Sequence, residues 1–512
     1  MNQRRSLLAS VLLLTAGALS VPSAQAADLH VGSGQTYTTV QAAVSAATAG
    51  DVILVHAGSY QEDVDITADG TDSARITLQP AGDGDATITG RITVDGDFWD
   101  ITDLTIVARA GARGVRLRGD HNRLQGIELS GGDRNGIDGG GIGNEVRACT
   151  IHNFDAGQDD AHCIVLNPGA EDWIIADNEL YDCSGDTIQL YAGGYERTIL
   201  NIRIEGNHMY FTGALSRTEN AIDVKNADGL VVFGNRMHGF PDNKVVVFQK
   251  GPANIDMQCN VMFDGSTGVE FRAEDGGTVE NVVFARNLMH DYSSYALKFD
   301  GTVGGEVFNN TFVDIGGDGL QIDGAGLANG MVQNNLWSNT GAIEGGTFTA
   351  DHNGFWQVGS NGIGSGSDVE ADPLLDTDYR LGPSSPMIDM GLDVGLPFAG
   401  AAPDLGWDET TMASCDTSGA GGAGGGGSSS SGTGGSSSTS SGTGGASSTS
   451  SGTGGTHPGA TTGTEDDGGC GCRLTGAASG RGTASPWLAG LVTLGLVALG
   501  LAARRRRAGD RR

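Results

Sequence analysis

The chain has 512 residues, a length that at roughly 150 residues per domain allows about three domains. Its formal charge is −32; the first 26 residues carry +2 and the last 43 carry +7, which leaves −41 for the body. A body that acidic repels phosphate backbones and excludes nucleic acid as a partner, while its excess of carboxylate oxygens suits a hard cation such as Ca²⁺.

Residues 1–26 read as a secretory signal. Arg4 and Arg5 form the charged start, Leu7 to Leu19 the apolar stretch, and Ala24-Gln25-Ala26 the small-residue cleavage site. The mature protein is then expected to begin near Ala27 and to work outside the cytoplasm.

Residues 27–412 form the body. Thr39 to Ala47 carries Val40, Ala43, Val44 and Ala47 at helical spacing, which predicts a short capping helix. Asp51-Val52-Ile53-Leu54-Val55 follows as the expected first strand. Further on, one position recurs at Cys149, Asn178, Asn207, Asn235, Asn260, Asn287, Asn310 and Asn335. An apolar residue stands three before each and another two after each. Every repeat also holds a short alternating run, among them Ile164-Val165-Leu166, Ile188-Gln189-Leu190, Ile222-Asp223-Val224 and Val269-Glu270-Phe271. Alternation at period two means one face in and one face out. Short strands separated by Gly and Asn turns, one coil per 23 to 29 residues and no crossover helix, predict an all-β parallel β-helix. Asn at a repeated turn tolerates left-handed geometry and can bond to the coils above and below. The segments from Asp372-Pro373 to Pro403-Asp404-Leu405-Gly406 are expected to close the far end.

Residues 413–469 are Gly, Ser and Thr with little else, a flexible linker without a core. In residues 470–512, Cys470-Gly471-Cys472 precedes an apolar stretch over 486–503, a length at the short limit for a membrane helix, and Arg504 to Arg507 follow at once. This ending resembles the MYXO-CTERM sorting tail of myxobacterial surface proteins, which implies processing near Cys470 or Cys472 and display at the cell surface. A plain C-terminal membrane anchor is the alternative. Within the body, Cys163 and Cys183 fall close in coil phase; buried thiols are the simpler expectation and a disulfide the alternative.

The capping helix, the Asn ladder and the closing segment together resemble the right-handed parallel β-helix proteins of the pectate-lyase-like superfamily. That superfamily hosts lyases, hydrolases, epimerases and non-catalytic surface proteins, so the fold does not select the activity.

Aligning the alternating runs places their outward residues in rows. One row holds Gln189, Asp223, Val247, Glu270 and Lys298; the next holds Tyr191, Lys225, Gln249, Arg272 and Asp300. Lys225 and Arg272 are then two coils apart with Gln249 between. Such a row is a candidate saccharide groove and a positive spot on an acidic body. Asp159, Asp160, Asp186, Glu219 and Asp223 fall in the neighbouring coils, and carboxylates that close call for a cation; a Ca²⁺ site is the expectation. Turn-forming aspartates are the bland alternative.

The resemblance to β-helix polysaccharide lyases implies abstraction of the C5 proton of a uronate, elimination of the 4-O-glycosidic bond, Ca²⁺ to neutralise the carboxylate, and a Lys or Arg base. Lys225 is the candidate base and Arg272 the group that steadies the carboxylate or the leaving oxygen, with Gln189, Tyr191, Gln249, Glu270 and Lys298 as substrate contacts. Lys225 can act as a base only with its pKa lowered, and Asp223 beside it pushes the other way. The Asp-Asp-Gly-Trp-Asp run of one β-helix pectate lyase family is absent, as is an Arg-x-Lys pair of the polygalacturonase type. Asp159-Asp160-Ala161-His162-Cys163 faintly resembles the paired aspartates and His of that hydrolase group. The expectation is thus a monomeric, secreted, surface-tethered protein that acts on acidic polysaccharide. A non-catalytic carbohydrate-binding surface protein and a glycoside hydrolase are the alternatives.

Overall fold

The computed structural model describes residues 26–191, 197–274, 276–410 and 415. The predicted signal, most of the linker and the sorting tail with its apolar stretch lie outside them. Among the described residues no helix is long and apolar enough to cross a membrane.

The chain winds into a parallel β-solenoid. Each coil lays one short strand on each of three ribbons. A typical coil has Glu145–Arg147 on the first ribbon, Thr150–Phe154 on the second and Ile164–Leu166 on the third; the next has Ile174–Ala176, Glu179–Cys183 and Ile188–Tyr191. Every ribbon pairing is parallel, one coil to the next. In two coils the strands Arg236–Gln249 and Val261–Arg272 run without a break from the second ribbon into the third, with a bulge between Phe240 and Lys244.

Alternation places alternate residues of each strand in the core. Ile188, Leu190, Ile222 and Val224 are buried in successive coils, and Phe248, Phe271 and Phe299 stack at 4.6 and 4.9 Å between ring centres. Each such side chain contributes about 1.5–3 kcal/mol by leaving water. The same in-register stacking that builds the core also aligns the outward residues.

The turn between the first and second ribbons carries the Asn ladder. From Asn178 to Asn310, the main-chain N–H and Nδ2 of each rung donate to Oδ1 of the next at 2.8–3.1 Å. Nδ2 also reaches a carbonyl of the preceding coil, as Asn207 does at Ile175. The ladder runs one rung beyond the sequence alignment, to Asn353. The left-handed residue is not the ladder Asn but the one before it, for example Asp177 (φ 58°), Cys259 (φ 59°) and Asn334 (φ 60°). The rung itself keeps ordinary geometry so that its amide can point along the axis. A second, short ladder of Asn122 and Asn144 stands at the turn that enters the first ribbon.

Helix Val40–Ala46 covers the first coil with Val40, Ala43 and Val44. The Thr39 hydroxyl accepts from Ala42 N–H, and the Glu62 carboxylate accepts from the amides of Val40 and Gln41, placing an anion at the positive end of the helix. The solenoid starts one coil earlier than expected: Asp28–Val31 pairs with Val52–Val55. At the far end Met387 and Leu405 bury against Leu336. Cys163 and Cys183 form a disulfide rather than buried thiols, because adjacent coils bring their Cα atoms to 5.6 Å. A second disulfide, Cys259–Cys415, ties the closing segment to the middle of the solenoid.

Candidate functional site

The outer face of the third ribbon carries the predicted rows in the predicted register. Gln189, Asp223, Val247, Glu270, Lys298 and Gln321 are successive partners, and so are Tyr191, Lys225, Gln249, Arg272, Asp300 and Asp323. The strands hold them there because inward neighbours such as Ile188, Leu190, Ile222, Val224, Phe248 and Phe271 are locked in the core.

The rows form two hydrogen-bonded networks, one around Asp223, Gln249 and Arg272 and one around Lys298. Lys225 Nζ lies 2.7 Å from Asp223 Oδ2, and Gln249 Nε2 donates to Asp223 Oδ1 at 2.6 Å. Arg272 then donates both to Gln249 Oε1 and to Glu274. Lys298 pairs with Glu270 at 3.4 Å and with Asp323 at 2.8 Å. Tyr191 is 44 % exposed, and its ring centre lies 5.7 Å from Lys225 Nζ, so it offers an open aromatic edge beside the cation.

The acidic cluster stands where the chain enters this ribbon. Asp186 is fully buried; Asn220 donates to its Oδ1 at 2.7 Å, and Gln189 to its Oδ2 at 2.8 Å. Burial first, and the facing Asp223 second, push its carboxyl up to about 7. The Asp186 amide donates to His162 Nδ1 at 2.8 Å, so the ring carries its proton on Nε2; burial holds this imidazole below its usual range, and neutral. Glu219 remains partly exposed. Burial, then Asp186 and Asp160, raise its pKa, while Arg217 donates to it at 2.6 Å and reaches Asp160 at 3.0 Å. Lys225 is held above its usual value: burial opposes the ammonium, but Asp223, Asp186 and Glu219 together outweigh it.

The predicted residues therefore divide. Asp160, Asp186, Glu219, Asp223 and Lys225 share one electrostatic neighbourhood; Gln249, Arg272, Glu270 and Lys298 continue it along the ribbon; Asp159 is exposed and makes no side-chain contact with the cluster. Lys225 does not have the lowered pKa that a base requires, because three carboxylates face it. Nor does the donor set fit a resident Ca²⁺. Among the described residues no three His, Cys, Asp or Glu side chains come together as a ligand group. The buried carboxylates already accept from Asn220, Gln189, Gln249 and Lys225. The cations answering this cluster are Arg217 and Lys225. Arg217 was not singled out by the repeat alignment because it lies in the turn, two residues ahead of Glu219; that spacing is its only trace in the sequence.

A family model described as "Right handed beta helix region" matches residues 91–239. No curated protein matches the sequence. Among solved structures the chain is similar to pectate lyase Pel9A, at 17 % identity over 76 % of this chain and 97 % of that one, with a TM-score of 0.41. It is also similar to a PL6 family polysaccharide lyase from Pseudopedobacter saltans, at 14 % identity over 61 % and 84 % of the two chains and a TM-score of 0.47. An alginate lyase from Paenibacillus sp. is similar at 18 % identity over 59 % and 97 %, with a TM-score of 0.37.

Proposed function

We propose that the protein cleaves an acidic polysaccharide by β-elimination across the third ribbon, with Glu219 as the proton-abstracting group in place of Lys225. The observation that carries this reading is the pairing of opposite tendencies in one neighbourhood. Glu219 is a partly exposed carboxylate made more basic by its partial burial first and by Asp186 and Asp160 after it. Lys225, which feels the same carboxylates, is kept as an ammonium. In uronate elimination the C5 proton passes to the Glu219 carboxylate, the C5–H electron pair forms the C4=C5 double bond, and the C4–O bond breaks as the leaving oxygen takes a proton from water, whose hydroxide the protonated Glu219 then neutralises. The Lys225 ammonium and the Arg272 guanidinium oppose the charge of the uronate carboxylate. Tyr191, Gln189, Gln249, Glu270 and Lys298 line the path of the chain. Asp186, with no exposed surface, acts as a positioning residue that raises Glu219. No step is assigned to Ca²⁺.

We place the protein outside the cytoplasm and tethered to the cell surface. The signal-like start and the sorting-like tail support this, as do two disulfides, which persist in oxidising compartments. The test is incubation of the full chain with polygalacturonate, alginate and glycosaminoglycans, following absorbance of the unsaturated uronate. The expected result is a signal with at least one uronate polymer, unchanged by a chelator and lost in Glu219→Gln. New reducing ends without unsaturation would replace elimination by hydrolysis. Binding without any product would replace both by an adhesive role.

A further inference from the structure

The cations of the predicted rows are already answered by protein acids, which raises the question of where a substrate anion would be recognised. Upstream on the same outer face the register continues without a break: Arg116 pairs with Asp138, Asp138 with Val165, Val165 with Gln189, and Gln189 with Asp223. Here lies a recess of about 400 Å³ lined by Arg113, Arg116, Arg118, Asp138, Asn167 and the backbone of Gly139 to Gly141. A smaller recess of about 190 Å³, lined by Arg113, Arg134, Asp160, His162 and Gln189, joins it to the acidic cluster. Four arginines face these two recesses against two aspartates, on a protein of charge −32.

Two of the four are partnered: Arg113 binds Asp138, and Arg118 lies 2.6 Å from Asp95. Asp138 also accepts from Asn167 at 2.9 Å. Arg116 makes no ion pair among the described residues, and its Nε is buried without a hydrogen-bond partner. Arg134 is exposed and makes no ion pair among the described residues. A buried guanidinium N–H without an acceptor is costly unless a ligand supplies one, and the guanidinium fork fits planar or tetrahedral oxyanions.

We propose that this arginine recess is a subsite that binds an anionic substituent of a glycan, a carboxylate or a sulfate ester, remote from the bond being broken. The inference rests on the reading of the acidic cluster as the reacting centre. Arg116 and Asp223 are four coils apart, about 19 Å at ~4.8 Å per coil, so one ligand must be several sugars long to meet both. Short substrates reach the cluster and miss the arginines. Chain-length dependence is thus set in the upstream coils, which add a second point of charge selectivity to the one that Lys225 and Arg272 supply at the reacting sugar.

The test is calorimetric titration of the full chain with three hexasaccharides, a polyuronate, a sulfated galactan and a neutral glucan, and with a uronate disaccharide. The expected result is salt-sensitive binding of one or both anionic hexamers, with the neutral hexamer at least tenfold weaker. Arg116→Gln and the exposed Arg134→Gln should each weaken the anionic hexamer about tenfold and leave the disaccharide unchanged. The uronate and sulfate arms identify which anion is read. Equal affinity for the neutral hexamer, no binding of either anionic hexamer, or wild-type affinity in both variants would overturn the proposal. Binding with these properties but no elimination product would refute the reaction and leave the subsite standing.

Discussion

Replacing Asn260 by Ala probes the ladder at its centre. Asn260 is fully buried; its Oδ1 accepts from the main-chain N–H and the Nδ2 of Asn235, each at 3.0 Å. Its Nδ2 donates to the carbonyls of Val232 and Gln258 and to Asn287 Oδ1, each at 2.9 Å. On truncation Asn235 Nδ2 keeps Ile204 O, and Asn287 Oδ1 keeps the Asn260 main-chain amide. The Asn235 main-chain N–H keeps nothing. One buried donor without a partner costs ~1–3 kcal/mol. Adding the weakened carbonyls and a small void, the expected loss is about 3–4 kcal/mol. The assay is urea unfolding followed by far-ultraviolet circular dichroism, with Asn254→Ala as the control. Asn254 makes a comparable amide contact to Asp228 at 2.6 Å, but at an exposed position of the strand Ala253–Gln258, and its replacement should cost about 1–2 kcal/mol, most of it from the left-handed φ of 54° that Ala tolerates less well. Equal effects of the two substitutions would refute the argument that buried, reciprocal pairing is what makes the ladder stabilising.

Cys149 occupies the first rung with its main-chain N–H already on Asn178 Oδ1 and its thiol 3.6 Å from Leu124 O, so Cys149→Asn should add an amide donor to both and raise stability by about 1 kcal/mol in the same unfolding assay. The Asp186 carboxyl, at about 7 when folded against an ordinary value near 4 when unfolded, favours the folded state at low pH, and this contribution is lost as pH rises through 7. The stability of wild type relative to Asp186→Asn should therefore fall between about pH 4 and pH 7, and a flat difference would count against the assignment. Cys415→Ser opens a loop of 156 residues, which on chain-entropy grounds costs about 5 kcal/mol; an unchanged unfolding midpoint would show that the closing segment holds without its covalent tie.

The coil repeat, the buried Asn rungs and the register of the outer rows were all legible in the residues, because a solenoid turns sequence period into spatial neighbourhood. Tyr191, Lys225, Gln249 and Arg272 stand in the order that alignment alone produced. Asn353 escapes it because the last spacing shortens to 18 residues, and the strand Asp28–Val31 because it precedes the capping helix, ahead of any repeated pattern. The arginines at 113, 116 and 118 escape the alignment although Arg116 and Arg118 alternate at period two, because the aligned rows start at Gln189, three coils after Arg116.

Periodicity by itself determined which side chains face in, which face out and which lie above one another, since backbone pairing between identical coils leaves no other arrangement. What only the folded coils decided is the electrostatic state of the groups so aligned. Whether Lys225 is free or held, whether Glu219 is more basic or less, and which of the five predicted carboxylates gather around Arg217 and Lys225 depend on how turns of unequal length fold over the ribbon. Those turns have no period, and a charge answers to its distance and burial rather than to its place in the repeat.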